Sequence, residues 1–445
     1  MSNELRVGCA TADITPEPGI PMGGYWGRTS GAVDVHDELK AKVLVFASGA
    51  QRAALVALDL ILLDAATVRD VRLRVGEDAG IEEEAIMVCC SHTHAGPLTY
   101  SFRGMGEVDE EYLERIKQTV VELIGRALQE VRPARLSHAK VPVQIGINRR
   151  EQRGKGIVIG TNPAGPVAPY AHVVRVDADG ELQATLFSHA CHPVVLGNAN
   201  HSISGDFAGA VARYVEAQTR RPALFVNGAC GDINPRITAG TFADVEALGE
   251  ELGRAVVEAG AEKLEATGIG CRADRLQLPL IDPPPRAQME MEKLILQMKA
   301  EIKKIVQGGG DIWAQKVPQA HLDWARHMLK LVRAGAKDQR QSFEVQAIRL
   351  GDLTLLGLEG EIFVRYQLDL EQGAASPRTM LCGYANGCIG YVPTADEYGR
   401  GGYEVDTAYK VYSSVQMIAP ESEDLIRQSA LALVQELARC DFSGR

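Results

Sequence analysis

Nowhere in the 445 residues does an uninterrupted apolar run reach the roughly 18 positions that a membrane-spanning helix requires. The opening Met1-Ser-Asn-Glu-Leu-Arg-Val has no basic stretch leading into an apolar core, so no secretory leader is expected and a cytoplasmic setting follows. Excess positive charge is lacking too: the formal net charge is −11, which disfavours nucleic acid or stable association with an anionic membrane, since both bind through surplus Lys and Arg. There is no C-x-x-C, and the nine cysteines stand singly except for Cys89-Cys90. That excludes a recognisable disulfide framework or thiolate zinc cluster and leaves reduced, mostly buried thiols. Internal repeats and low-complexity tracts are not visible.

The composition that is present, 46% hydrophobic and 24% charged, is that of a globular chain able to bury a large core. Short apolar runs at Val43–Phe46, Ala53–Leu58 and Ala85–Cys90 read as buried strands, with a helix over Ala65–Gly80 between the second and third. From Glu111 to Val131, Leu113, Ile116, Val120, Leu123, Ile124 and Ala127 share one face at a period near 3.6, which predicts an amphipathic helix. Asp179-Gly180 between alternating runs predicts a hairpin. A helix over Phe207–Ala217 capped by Ser204 or Asp206, a strand over Ala223–Val226 and a helix over Asp244–Leu264 continue the pattern. After Pro283–Pro285 a pair of helices, Arg286–Gln307 and Gln319–Val332, interrupts it before strands resume at Phe343–Leu350 and Leu353–Leu358. A helix near Ser422–Ala438 closes the chain. The expectation is a single mixed-sheet α/β domain over 1–445 with a helical insertion at about 283–335. The inserted pair would act as a cover or as a contact between copies in a homo-oligomer.

Polar residues gather where strands end, the usual place for ligand groups in α/β proteins. His92-Thr93-His94 follows the third strand, and in extended backbone residues two apart face the same side, so both imidazoles could address one cavity. Two histidines hydrogen-bonded in a polar turn would look the same. His189, His192 and His201 form a second group; His192 is the preferred ligand because Pro193 stiffens its loop, while the other two read as packing residues. Glu361 in Glu359-Gly-Glu could complete a His/His/carboxylate set or simply open a helix. Tyr391 and Tyr403 lie in Gly-rich segments, and Ile147–Arg150 and Asn227–Pro235, the latter with Asp232 and Asn234, read as loops suited to holding a substrate or making turns. Asp59, Asp206 and Asp232 lack the clustering of a two-metal phosphoesterase.

In order, Asp13-Ile-Thr-Pro16, Met22-Gly-Gly-Tyr25, Ser91-His-Thr-His94, His192-Pro193, Gly360-Glu-Ile-Phe363, Tyr391-Val-Pro-Thr394 and Tyr403-Glu404 resemble the catalytic domain of the neutral/alkaline ceramidase family. The resemblance implies a zinc-dependent amide hydrolase with one zinc ion per chain, held by His92, His192, Glu361 and Tyr391. It implies that His94, Arg149 and Tyr403 assist catalysis; from the two loops read above, Arg149, Asp232 and Asn234 are expected on the substrate side. Asn234 departs from the family's Gly-Asp-x-Ser-Pro, where a serine precedes the proline, and no C-terminal immunoglobulin-like domain of the family's kind is expected. The resulting expectation is hydrolysis of a C–N or C–O bond in a soluble small-molecule amide, ester or lactone. N-acylsphingosine as substrate, or a non-catalytic zinc-binding role, are the alternatives.

Overall fold

The computed structural model describes residues 4–439 apart from 265–267, 313, 377 and 413, so the first residues of the chain, read above for a leader, lie outside it in part. Within it the α/β character is realised as one unit built three times. Each unit has three antiparallel strands, a helix, a fourth strand parallel to the third, and a second helix that packs back on the sheet.

In the first unit the strands are Arg6–Asp13, Lys40–Ser48 and Gln51–Leu58; helix Ala65–Ala79 leads to the parallel strand Ile86–Cys90, and helix Glu110–Gln129 returns. The second runs Arg135–Pro142, Tyr170–Ala178, Glu181–His189, helix Asp206–Thr219, strand Ala223–Asn227 and helix Phe242–Val257. The third runs Ile269–Pro279, Arg340–Leu350, Leu353–Leu358, helix Val364–Gly373, strand Arg378–Cys382 and helix Ser422–Arg439. This threefold pattern lives in pairing and topology, where a reading of the sequence for repeats does not reach.

Local chemistry sets the elements. Asp64 and Asp109 accept from the amides three residues on and start their helices, Thr241 and Asp244 form a reciprocal capping box, and Gly80 ends its helix in the left-handed region. Helix Asp206–Thr219 departs from the expected side-chain cap. Gly205 is its N-cap, and Asp206, at φ +52°, turns its carboxylate back to the amides of Val195, Leu196 and Phe207. The following helix stops at Val257, short of the expected Leu264. The Asn148–Arg150 segment, expected as a loop, lies inside strand Gly146–Arg153, which pairs with Gly156–Asn162 on one side and Ile233–Pro235 on the other.

The fourth strands of the three units meet at the centre. The Asn227 side-chain amide donates to the Ser91 carbonyl at 3.0 Å, Gly383 N donates to Asn227 O at 2.9 Å, and Asn386 N donates to Val88 O at 2.7 Å. Their carboxyl ends therefore open on one place. The helix pair Ala287–Gln307 and Lys316–Arg333 emerges between the first two strands of the third unit and has its own small core around Met291, Trp324, Ala325 and Met328. Among the described residues no helix is long and apolar enough to cross a membrane, and all eight cysteines are free thiols; Cys440 lies outside.

Candidate metal centre

His92 does not continue the strand before it. At φ +68° it occupies the left-handed region, uncommon for a residue with a side chain, so the pair His92/His94 converges through a turn and not through the alternation of extended backbone. The two Nε2 atoms end 3.1 Å apart. His192, from the loop after the third strand of the second unit, brings its ring centroid to 4.9 Å from that of His92. Glu361, from the equivalent loop of the third unit, places Oε2 3.0 Å from His192 Nε2 and 3.6 Å from His92 Nε2. Tyr391 is the register partner of Glu361 in a two-stranded parallel pair.

The tautomers follow from the partners. His92 Nδ1 lies 2.9 Å from the Ile61 carbonyl, and His192 Nδ1 lies 2.6 Å from the Cys230 carbonyl and 3.1 Å from that of Ile233. A carbonyl only accepts, so Nδ1 carries the hydrogen in both rings and each Nε2 presents a lone pair. Burial and the nearby Arg149 push the His192 pKa down to about 4, which keeps that ring neutral. Two lone pairs and a carboxylate oxygen crowded together, all fully buried, are a donor set that a divalent cation fits, and carbonyl-anchored imidazoles are the usual form of metal-ligating histidine.

His94 has a different environment. Its Nε2 belongs to the cluster, and the ligand atoms of His92, His94 and His192 all lie within 4.8 Å of one another. Its Nδ1, however, is buried without a hydrogen-bond partner. Burial, then the adjacent His92 and His192 rings, drive its pKa well below the usual imidazole value. The ring is held by shape: Gly24 packs on one side, Tyr25 meets it edge-on with centroids 5.0 Å apart, and the buried Arg28 donates to the His94 and Gly23 carbonyls.

Arg149 is fully committed. Nε donates to Glu404 at 2.9 Å, Nη2 to the Tyr391 hydroxyl at 2.9 Å and Nη1 to Asn234 Oδ1 at 3.2 Å. Glu404 also accepts from Arg150, which reaches Glu397 at 2.8 Å, so two buried guanidiniums and two carboxylates tie the segment carrying Tyr403 to the strand carrying Arg149. Asp232 lies a layer behind the cavity: it accepts from Asn148 at 2.8 Å and from Val364 N at 2.7 Å, and burial pushes its pKa up to about 7. Its position supports the framework of the site.

A cavity of 270 Å³ is lined by His92, His94, Arg149, His192, Asn234, Glu361, Tyr391 and Tyr403 together with Tyr25, Trp26, Ile61, Phe102, Met105, Ile159, Val194, Val411 and Tyr412. Every expected site residue except Asp232 faces it. Sequence reasoning missed Tyr412, whose hydroxyl donates to Glu361 Oε1, and gave Gly24 no role although it sits in the Met-Gly-Gly-Tyr motif. A glycine pair beside a tyrosine is a signal for close approach; a lone tyrosine in Val411-Tyr412-Ser413 carries none.

A family model described as neutral/alkaline non-lysosomal ceramidase, N-terminal, matches residues 5–275. The neutral ceramidase of Pseudomonas aeruginosa is 25% identical over 463 residues, spanning 90% of this chain and 68% of that protein. The neutral ceramidase of Mycobacterium tuberculosis is 27% identical over 265 residues, 52% of this chain and 40% of that protein. The crystal structure of the Pseudomonas aeruginosa neutral ceramidase superposes with a TM-score of 0.73 at 21% identity, covering 98% of this chain and 75% of the other.

Proposed function

Because this chain belongs to the neutral/alkaline non-lysosomal ceramidase family, we propose that it is a zinc-dependent hydrolase that cleaves the amide of an N-acyl substrate with an apolar acyl group. The observation that carries this reading is the set of three unprotonated donor atoms, His92 Nε2, His192 Nε2 and Glu361 Oε2, at the base of a largely apolar cavity. With Tyr391 beside them they would hold the ion. Zinc bound there supplies a Lewis acid toward water and a carbonyl oxygen.

The remaining work belongs to side chains. His94, half-buried and with no partner on its buried Nδ1, is the imidazole left for proton transfer where the ligating histidines are pinned to carbonyls. Tyr403 supplies a donor to the oxygen that gains charge. Arg149 fixes the Tyr391 hydroxyl and Asn234, and because Glu404 neutralises it, it offers no free cation to a substrate carboxylate. An uncharged acyl amide suits such a cavity. N-acylsphingosine is the specific substrate that the relatives' names suggest.

One observation favours a second reading: 270 Å³ encloses a reacting amide and a short chain but not two long ones, which would suit a small soluble amide, ester or lactone. The test is metal analysis of the purified chain, then turnover of long- and short-chain N-acyl amides, an ester and a lactone, before and after chelation. About one zinc per chain and chelator-sensitive turnover fastest on an acyl amide are expected. Zinc without turnover of any substrate would refute a hydrolase and leave a binding protein.

A further inference from the structure

The carboxylate of Glu361 divides its work between its two oxygens. Oε2 faces His92 and His192, while Oε1 accepts from the hydroxyl of Tyr412, a residue outside every motif discussed above. Tyr412 is itself buried among Tyr100, Phe102 and Tyr391, with ring centroids at 5.9, 5.2 and 6.2 Å, and it packs on Gly390, where an added Cβ would meet its ring at 3.1 Å.

Among the described residues of the 408–416 segment, regular structure is confined to a short turn at Ala408–Lys410, so other contacts must fix Tyr412. Two sets of contacts do. Arg103 donates to the carbonyls of Lys410, Tyr412 and Ser414, and its own amide donates to Val411 O at 2.8 Å. The inserted helix pair supplies the rest: Trp324 Nε1 donates to Val415 O at 2.7 Å, the Trp324 ring meets Tyr409 edge-on at 6.1 Å, and Lys410 Nζ lies 5.1 Å over the same ring. At the root of the insertion, Gln416 donates to the Ile281 carbonyl at 2.8 Å, and Leu280 bridges Ile418. The insertion thus grips the irregular stretch that delivers the Tyr412 hydroxyl to Glu361.

We propose that Tyr412 is a positioning residue for Glu361, fixing which carboxylate oxygen faces the two histidines, and that the helix pair 287–333 serves the site by clamping the 409–416 segment through Trp324. This rests on the reading of His92, His192 and Glu361 as metal ligands. A hydrogen bond to a ligating carboxylate orients it in advance, and loss of such a partner typically weakens metal binding about 10- to 100-fold. A ring held only for packing would not affect affinity when its hydroxyl alone is removed.

The test measures zinc affinity of the purified full chain by competition with a chromogenic chelator. His192→Ala should abolish binding; if it binds zinc as the parent does, the metal reading itself fails. With that control in place, Tyr412→Phe should bind zinc about 10-fold or more weakly and alter the visible absorption of the cobalt-substituted protein. Trp324→Phe, which keeps a ring and loses the donor, should weaken binding about 2- to 5-fold. It should add nothing in the Tyr412→Phe background, because both act through one hydrogen bond. Parental affinity in Tyr412→Phe alongside loss in His192→Ala overturns the proposal, and additive effects of the two aromatic substitutions overturn the role of the insertion.

Discussion

Gly24 lies so close to the ring of His94 that a Cβ on it would meet Nδ1 at 2.5 Å and Cγ at 2.6 Å. The backbone there, at φ +94°, is in a region that side chains rarely adopt, so both the conformation and the contact demand glycine. Gly24→Ala should therefore push the imidazole from its place while leaving the carbonyl-anchored His92 and His192 alone. The expected result is a drop in kcat/KM of about 100-fold with zinc content unchanged, since small misplacements of catalytic groups cost rates of that order. Steady-state kinetics beside metal analysis decide it, and parental kinetics would show that the ring tolerates displacement.

The same separation of roles predicts opposite metal phenotypes for two histidines that are two residues apart. His92→Ala removes a lone pair fixed by the Ile61 carbonyl and should lose zinc and activity together. His94→Ala should retain zinc and lose about 100- to 10,000-fold in kcat. Loss of zinc from His94→Ala would make it a ligand and reassign the proton transfer.

How much of this was readable in the chain varies with the kind of signal. Buried strands and amphipathic helices announce themselves through period, and His92, His94, His192 and Glu361 stand where apolar runs stop, so four of the central groups were visible as candidates. The threefold architecture was invisible because the units share pairing order only: the segments joining third strand to helix run over 59–64, 190–205 and 359–363, of unequal length and unlike composition. Arg149 looked like a loop residue because Gly146–Arg153 is rich in Arg, Asn and Gln, and its strand exists through pairing on both sides. Tyr412 acts across 51 positions of sequence through one hydroxyl, which no local pattern encodes.

Glu404 is the shared anion of two buried arginines, Arg149 and Arg150, and is itself 1% exposed. Removing it takes the salt-bridge partner from Arg149 and leaves Arg150 paired with Glu397 alone, both guanidiniums remaining desolvated. Glu404→Ala should destabilise the fold by about 3–5 kcal/mol, the usual consequence of breaking a buried pair on one side. Urea unfolding followed by circular dichroism measures it. Arg153→Ala, which breaks an exposed pair with Glu151, should leave the midpoint unchanged. Equal midpoints for both variants would mean that the buried network contributes no net stability.

Away from the candidate metal centre, His138 lies 2.9 Å from His172, which in turn contacts Glu371 at 3.0 Å. Burial lowers the His138 pKa to about 3; His172, Arg378 and Lys140 push the same way and Glu371 opposes them. The native state therefore refuses a proton that the unfolded chain accepts at its ordinary value near 6.5. Stability tied to this group is intact above about pH 6.5 and declines as the pH falls toward 3, because the unfolded state then binds more protons. Melting temperatures between pH 7 and 4 should fall less steeply for His138→Gln than for the parent, with the gap between the two curves changing by a few degrees across that range. Parallel curves would show that His138 titrates alike in both states and that acid unfolding starts elsewhere.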